Sequence, residues 1–306
     1  MKLKVLENTR KVLSADEPAP FLRLPPQGDL TPEQIRAHYL VEKDLARQLI
    51  DAGKEDRRIL YNKLYDELFE KVPFHPQIRK KQDPAYSEQQ LQSQLKLLRR
   101  FFDKQKVFLE IGAGDCALSR AVADHFRLVY AVDVSEQISR GNGFKENVRF
   151  ALSDGTSIPV PAGTIDLAYS NQLMEHLHPD DAAEQLGNIY AALAPGGSYL
   201  CITPNRLSGP HDVSRYFDEV ATGFHLKEYV SSELRQMFSD VGFTNCQVLI
   251  GVAGQYRRLP AGNFFHSILE GVLRRLPRRL RQQVVSLSPV NSALGLVCIA
   301  QKPDQC

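Results

Sequence analysis

The sequence is short of cysteine, of long apolar runs and of net charge, and each shortage closes a route. Its five cysteines, at positions 116, 201, 246, 298 and 306, lie far apart. They form no CxxC pair and have no histidine at metal-ligand spacing, so they read as reduced thiols and no metal is expected. No stretch reaches the roughly eighteen apolar residues that span a bilayer. The opening MKLKVLENTRKVL lacks the apolar core and small-residue cleavage site of a signal peptide. The expectation is a cytoplasmic protein, neither secreted nor membrane-spanning. Lys and Arg number 38 against 36 Asp and Glu, a formal charge of +2. No global field therefore draws the chain to nucleic acid or membrane, and such a partner must be met by a local patch.

What is present is ordinary for a globular protein, with 43% hydrophobic and 24% charged residues, enough to bury a substantial core in one or two domains. Residues 1–31 read as an extended tail, because prolines 18, 20, 25 and 26 crowd its second half. Residues 32–104 read as a helical cap of three amphipathic helices. Thr31 with Gln34 forms a capping box ahead of the first, a second runs from about Asp56 to Lys71, and Ser87 with Gln90 suggests the cap of the third. Tyr61 and Tyr65 fall at helical spacing on the second, where packing is their usual role.

From Val107 the rhythm changes to short, unalternated apolar runs separated by helical stretches: VFLEI (107–111), LVYAVDV (128–134), VRFAL (148–152), IDLAYS (165–170) and SYLCIT (198–203). Strands buried on both faces of a parallel sheet have this pattern, and the layout is that of a doubly wound α/β fold. CQVLIGV (246–252) and ALGLVCIA (293–300) would complete the sheet. Residues 105–252 with 293–303 thus form the expected ligand-binding domain, and 253–292 a basic helical lid inserted before the last strand.

The segment Glu110-Ile111-Gly112-Ala113-Gly114-Asp115-Cys116-Ala117 is a strand end entering a glycine turn. Gly112 and Gly114 permit close backbone approach to a ligand, and in this fold ligands bind beyond the carboxyl ends of the strands. By itself the turn also fits a dinucleotide fingerprint, with Asp133 placed to take a ribose, so a nicotinamide oxidoreductase stays open.

In their order and spacing, Glu110, Gly112, Gly114, Asp133, Asp154, Asp166-Leu-Ala-Tyr-Ser-Asn171, Glu175-His176-Leu177 and Leu193-Ala-Pro-Gly-Gly197 resemble the class I S-adenosylmethionine-dependent methyltransferases. Ile202-Thr-Pro-Asn205 and Gly223-Phe-His225-Leu-Lys-Glu-Tyr229 look like the branch containing quinone-biosynthesis and natural-product or glycan enzymes. The resemblance implies a Rossmann-like sheet, mostly parallel with an antiparallel last strand, and S-adenosylmethionine as cofactor. It implies cofactor contacts from Glu110, Gly112, Ala113, Gly114, Asp133, Asp154, Gly155 and Asn171. Cys116 stands where the family often has a third glycine. A carboxylate at Asp133 suits a ribose diol and one at Asp154 an adenine amine.

Methyl transfer needs an aligned acceptor and, for a hydroxyl, removal of its proton. His176, just past the fourth strand and of a type that titrates near neutrality, is the candidate base, and Glu175 would orient it. His211, Asp212 and His225 are candidate substrate contacts on loops at the same edge. The expected reaction is methyl transfer to an oxygen of a small-molecule or glycan-type acceptor; a noncatalytic adenosylmethionine-binding protein stays open. In the insertion, Phe265, Ile268, Leu269, Val272, Leu273 and Leu276 form a helical stripe beside Arg274, Arg275, Arg278, Arg279 and Arg281. The 264–285 segment is thus a candidate for peripheral contact with an anionic membrane surface. It lacks the interleaved aromatics of a nucleic-acid binder, and no nucleic acid is expected.

Overall fold

The apolar runs become strands of one sheet in a computed structural model that describes residues 30–135, 143–252, 255–258 and 262–304. Nearly all of the expected tail, and Cys306, lie outside the described residues. The strands are β1 (Asp103–Ile111), β2 (Phe126–Asp133), β3 (Val148–Leu152), β4 (Ile165–Asn171), β5 (Leu193–Thr203), β6 (Thr244–Val252), β7 (Gln255–Arg257) and β8 (Leu296–Gln301). Their order is β3-β2-β1-β4-β5-β8-β6-β7. The first five run parallel, and β8 is antiparallel to both β5 and β6. Val107 to Ile111 are all buried, as the absence of alternation required. The short β7 extends the edge beyond β6 and has no counterpart in the sequence reading.

The register aligns the ends that matter. Ile111 sits opposite Val132 and Ser170, Asp133 opposite Leu152, and Asn171 opposite Ile202. The carboxyl ends of β1 to β5 therefore share one rim.

Helix α1 (Pro32–Asp51) begins at the expected capping box: the Gln34 N–H donates to Thr31 Oγ1 at 3.2 Å and the Thr31 N–H to Gln34 Oε1 at 2.8 Å. Gly53 is the N-cap of α2 (Lys54–Lys71). Past a short α3 (Pro76–Gln82), α4 (Pro84–Leu98) starts earlier than Ser87 suggested, because Asp83 caps it by accepting from Ala85 and Tyr86 N–H and Pro84 occupies the first turn. Leu97 and Leu98 of α4 join Phe108, Val129 and Leu167 in one buried cluster, so α4 covers a face of the sheet. Helices α1 and α2 share the other large cluster, where Leu45, Leu49, Leu64 and Leu68 meet Leu109, Ile111 and Val132. The helical segment is thus fused to the sheet by common cores.

Helices α5 (Ala117–Val122), α6 (Pro179–Ala192) and α7 (Ser231–Val241) complete the layers. The insertion supplies α8 (Gly262–Arg275), α9 (Arg278–Val285) and α10 (Ser288–Leu294). Its Leu273, Val285 and Leu294 pack on Leu207 and Val230, and Asn263 bonds the backbone of Cys246 and Val248 in β6. It thereby flanks the β6 edge. No helix among the described residues is long and apolar enough to cross a membrane.

Candidate active site

The turn after β1 is built on positive φ angles at Gly112 (+73°), Gly114 (+52°) and Cys116 (+57°). Glycine meets the first two without strain. A side chain at Gly114 would meet open space, so the turn leaves room for a ligand beside its backbone. Gly112 and Ala113 N–H are held by the Val132 carbonyl, and Gly114 N–H donates to Asp133 Oδ2 at 2.8 Å. Asp133 Oδ1 accepts from Ser135 N–H at 3.1 Å. A carboxylate oxygen has two lone pairs, so accepting from a backbone N–H does not by itself bar a diol. The turn, the Asp133 carboxylate and the open space fit the expected cofactor. Helix α5 has only six residues and Ala117 N–H is capped by Asp115, so its N-terminus adds no anion site. Cys116 is buried, and burial pushes its thiol up to about 12, far from a nucleophile's range.

Glu110 lies behind the turn, 7% exposed, and accepts from the Ser119 hydroxyl. Burial raises its carboxyl to about 8 against that bond. Ser119, one turn into α5, was not legible as its partner.

Asp154 and Gly155 lie in a turn covered by α2. Asp154 Oδ1 accepts from Thr156 N–H, Thr156 Oγ1 and Ser157 N–H, closing its own turn, while Oδ2 lies 3.3 Å from Arg58 Nε of α2. Gly155 has φ +98° and faces the Tyr61 ring, which a Cβ there would approach to 2.5 Å. Both are engaged because α2 runs across the rim. One face of the helix carries Arg58 at Asp154, Tyr61 at Gly155, Asn62 donating to the Val134 carbonyl at 2.7 Å, and Tyr65 edge-on to Phe224 at 4.9 Å. A clamp fixes it: Arg57 forks onto buried Asp181 of α6 at 2.6 and 2.7 Å, and Tyr61 donates to the same carboxylate at 2.7 Å.

At the end of β4, Asn171 is half-buried, and a tight turn follows with Glu175 and His176. Glu175 is fully buried. Its Oε2 accepts from the Thr203 hydroxyl at 3.0 Å, its Oε1 has no hydrogen-bond partner among the described residues, and burial raises its carboxyl to about 7. His176 Nδ1 is 2.8 Å from the Phe224 carbonyl. A carbonyl only accepts, so Nδ1 carries the proton and Nε2 the lone pair. Burial, with the neighbouring His225, lowers His176 to about 3, which corrects the expectation of a group titrating near neutrality. The His225 ring lies 4.8 Å from that of His176, and its Nδ1 is 2.8 Å from Glu228 Oε1. Burial opposes its protonation, but Glu228 together with the charges of Glu175 and Asp212 raises it to about 9.

The structure therefore gathers His225, but not its two companions, around Glu175 and His176. His211 turns into its own loop, with Nε2 at 3.0 Å from Ser208 Oγ and 3.1 Å from the Asn205 carbonyl. Asp212 Oδ1 accepts from Ser214, and Oδ2 from Gly223 and His225 N–H. It shapes the loop that carries His225. Behind this loop, buried Glu42 accepts from His38 Nε2 at 2.7 Å and from Phe224 N–H at 3.1 Å, and His75 Nε2 lies at 3.4 Å. His38, Glu42, His75 and Glu228 were missed, although His38 and Glu42 are four apart on one helix and Glu228 follows His225 by three.

A family model described as a methyltransferase domain matches residues 85–248, more than half of the chain. A probable S-adenosylmethionine-dependent methyltransferase of Mycolicibacterium smegmatis is 28% identical over 136 residues, covering 44% of this chain and 51% of that protein. A ubiquinone biosynthesis O-methyltransferase of Coxiella burnetii is 29% identical over 108 residues, 34% of this chain and 45% of that protein. The chain spans about half the length of the curated relatives it matches. Among solved structures, a phosphoethanolamine N-methyltransferase of Haemonchus contortus superposes with a TM-score of 0.54 over 82% of this chain and 50% of that one, at 16% identity. That likeness shows the fold alone.

Proposed function

The chain belongs to the methyltransferase-domain family, and from that premise we propose that it is an S-adenosylmethionine-dependent methyltransferase acting on an oxygen of a small-molecule or glycan-type acceptor. The observation that carries this reading is the glycine turn with open space beside it and the Asp133 carboxylate hydrogen-bonded across it. When bound, the cofactor supplies a methyl carbon already activated by a sulfonium. Asp133 accepts the ribose hydroxyls, Gly112, Ala113 and Gly114 give backbone approach, and Glu110 lends a buried carboxyl behind the methionine end. Asp154 reaches the adenine amine by exchanging its contact with Arg58. Asn171, at the end of β4, would be a further cofactor contact. The His176 Nε2 lone pair, aimed by the Nδ1 bond to Phe224, accepts the acceptor's hydroxyl hydrogen, and Glu175 and His225 surround the same point. Methyl-transferase names among the matched relatives support this chemistry over a nicotinamide oxidoreductase and over a noncatalytic binder.

The outward face of α8 supports a membrane partner. His266, Glu270 and Leu273 point inward, while Phe264, Phe265, Ile268 and Val272 are exposed, as are Leu280 and the flanking Arg274, Arg275 and Arg279. Exposed apolar side chains rimmed by arginines complement an anionic lipid surface, and the 264–285 segment rests there in this reading. The free thiols of Cys116, Cys201, Cys246 and Cys298 accord with a reducing, cytoplasmic setting.

Calorimetric titration with S-adenosylmethionine and with NAD tests the assignment. Adenosylmethionine binds and NAD does not, and Asp133→Ala weakens adenosylmethionine binding by about tenfold or more, the loss of one charge-assisted contact. Unchanged affinity in Asp133→Ala removes Asp133 from the site. Label transfer from methyl-labelled cofactor into a metabolite pool then reads the acceptor class.

A further inference from the structure

We propose that Glu175, His176 and His225 form a binding site for one divalent transition-metal ion, with zinc the best match to the donor set. One ligand atom of each lies within 4.8 Å of the others. Two imidazoles and a carboxylate are the protein ligands of a catalytic zinc site that keeps a fourth position open. Metal–ligand bonds of about 2.1 Å put neighbouring ligand atoms roughly 3.4 Å apart in a tetrahedron, so small side-chain rotations close the shell.

Three features of the surroundings single out this cluster. Each histidine commits its Nδ1 elsewhere, His176 to the Phe224 carbonyl at 2.8 Å and His225 to the Glu228 carboxylate at 2.8 Å. Metal-bound histidines are oriented by such outer partners, which leave Nε2 as the ligand atom. Glu175 Oε1 is the second feature, a carboxylate oxygen in a fully buried side chain with no hydrogen-bond partner among the described residues, a costly arrangement that a cation relieves. The third is a tether: Lys227 N–H donates to the Glu175 carbonyl at 3.2 Å, holding the His225 segment beside the turn after β4.

The other convergent group among the described residues, His38, Glu42 and His75, fails the same examination. Gln77 N–H donates to His75 Nδ1 at 3.2 Å, so His75 keeps its proton on Nε2, where it faces Glu42. That nitrogen is a donor, and the group is a hydrogen-bonded carboxylate.

With the ion bound, the His176 Nε2 lone pair is a ligand rather than the acceptor of the hydroxyl hydrogen, and the ion's open position would meet that hydroxyl, or an adjacent pair of oxygens, in its place. Binding of the ion follows from the cluster alone, whereas its service to the acceptor rests on the proposed methyl transfer. Chelator-treated full-length protein titrated with Zn2+ by calorimetry, and with Co2+ by its visible absorption, separates the two. One equivalent of either ion is expected, with the bands of tetrahedral nitrogen–oxygen coordination. Glu175→Gln and His225→Ala, checked for folding by circular dichroism, weaken binding by about 100-fold or more, and Glu228→Gln by about tenfold. His38→Ala leaves it unchanged. Absence of stoichiometric binding in the folded parent overturns the inference, as does binding equally tight in Glu175→Gln. Methyl transfer by a protein that binds no ion would leave the function and sink the site. Tight binding without methyl transfer would do the reverse.

Discussion

Loss of the Arg57 guanidinium should cost the protein about 3–5 kcal/mol, because it strands a buried carboxylate. Asp181 is 1% exposed and Arg57 5%. The pair is bidentate, at 2.6 and 2.7 Å, and Arg57 also donates to the Ala52 carbonyl at 2.9 Å. In Arg57→Met the Asp181 charge keeps only the Tyr61 hydroxyl as a side-chain partner. At roughly 2–4 °C per kcal/mol for a chain of this order of size, the midpoint of thermal unfolding falls by about 6–20 °C. Scanning calorimetry and urea unfolding measure it. Asp181→Leu made together with Arg57→Met removes the stranded charge and should recover more than half of the loss, since a buried ion pair exchanged for apolar groups is close to neutral. A single-variant loss under about 1 kcal/mol, or a double variant no better than the single, refutes the reasoning. The result bears on function, because this clamp holds α2 across the rim where the cofactor is proposed to bind.

Glu110→Gln tests the buried carboxyl. The folded value of about 8 lies above the ordinary 4.5, so the unfolded chain ionises first. The parent then loses a few kcal/mol as pH rises from about 4.5 to about 8 and no more above that. The amide variant lacks this slope, and urea unfolding at pH 5 and 8.5 compares them; parallel pH profiles would refute the assignment. Gly155→Ala forces a Cβ to within 2.5 Å of the Tyr61 ring at φ +98° and should destabilise by about 1–3 kcal/mol, partly relieved by Tyr61→Leu in thermal melts. Sedimentation with vesicles should retain the protein on anionic lipid and release it on neutral lipid, and Phe265→Ser with Ile268→Ser should abolish the retention. Binding indifferent to lipid charge would remove the membrane partner.

Much of the site was legible because its chemistry is carried by short-range patterns. The glycine turn from Gly112 to Gly114 lies at the end of a run too apolar to be anything but a buried strand, and Asp133 ends the next such run. Sheet register then forces these ends together. The partners of Asp154, Gly155 and Asp212 were not legible because an acid or glycine in a loop looks the same whether it faces a ligand or another helix. Arg58, Tyr61 and Gly223 decide those cases from positions distant in sequence. Ser87 lost the helix cap to Asp83 because a proline at the first helical position favours the earlier start.

Periodicity and turn chemistry act over a few residues and survive any arrangement of the rest, so the α/β class, the parallel strands and the strand-end placing of Glu110, Asp133 and Glu175 could be read from the chain. What each carboxylate and imidazole faces depended on how distant segments pack. Burial raised Glu110 and lowered His176, the Arg57–Asp181 clamp laid α2 over the rim, and the segment 223–228 carried His225 and Glu228 to the turn after β4. Electrostatic environment depends on distances across the fold, and no local pattern encodes them.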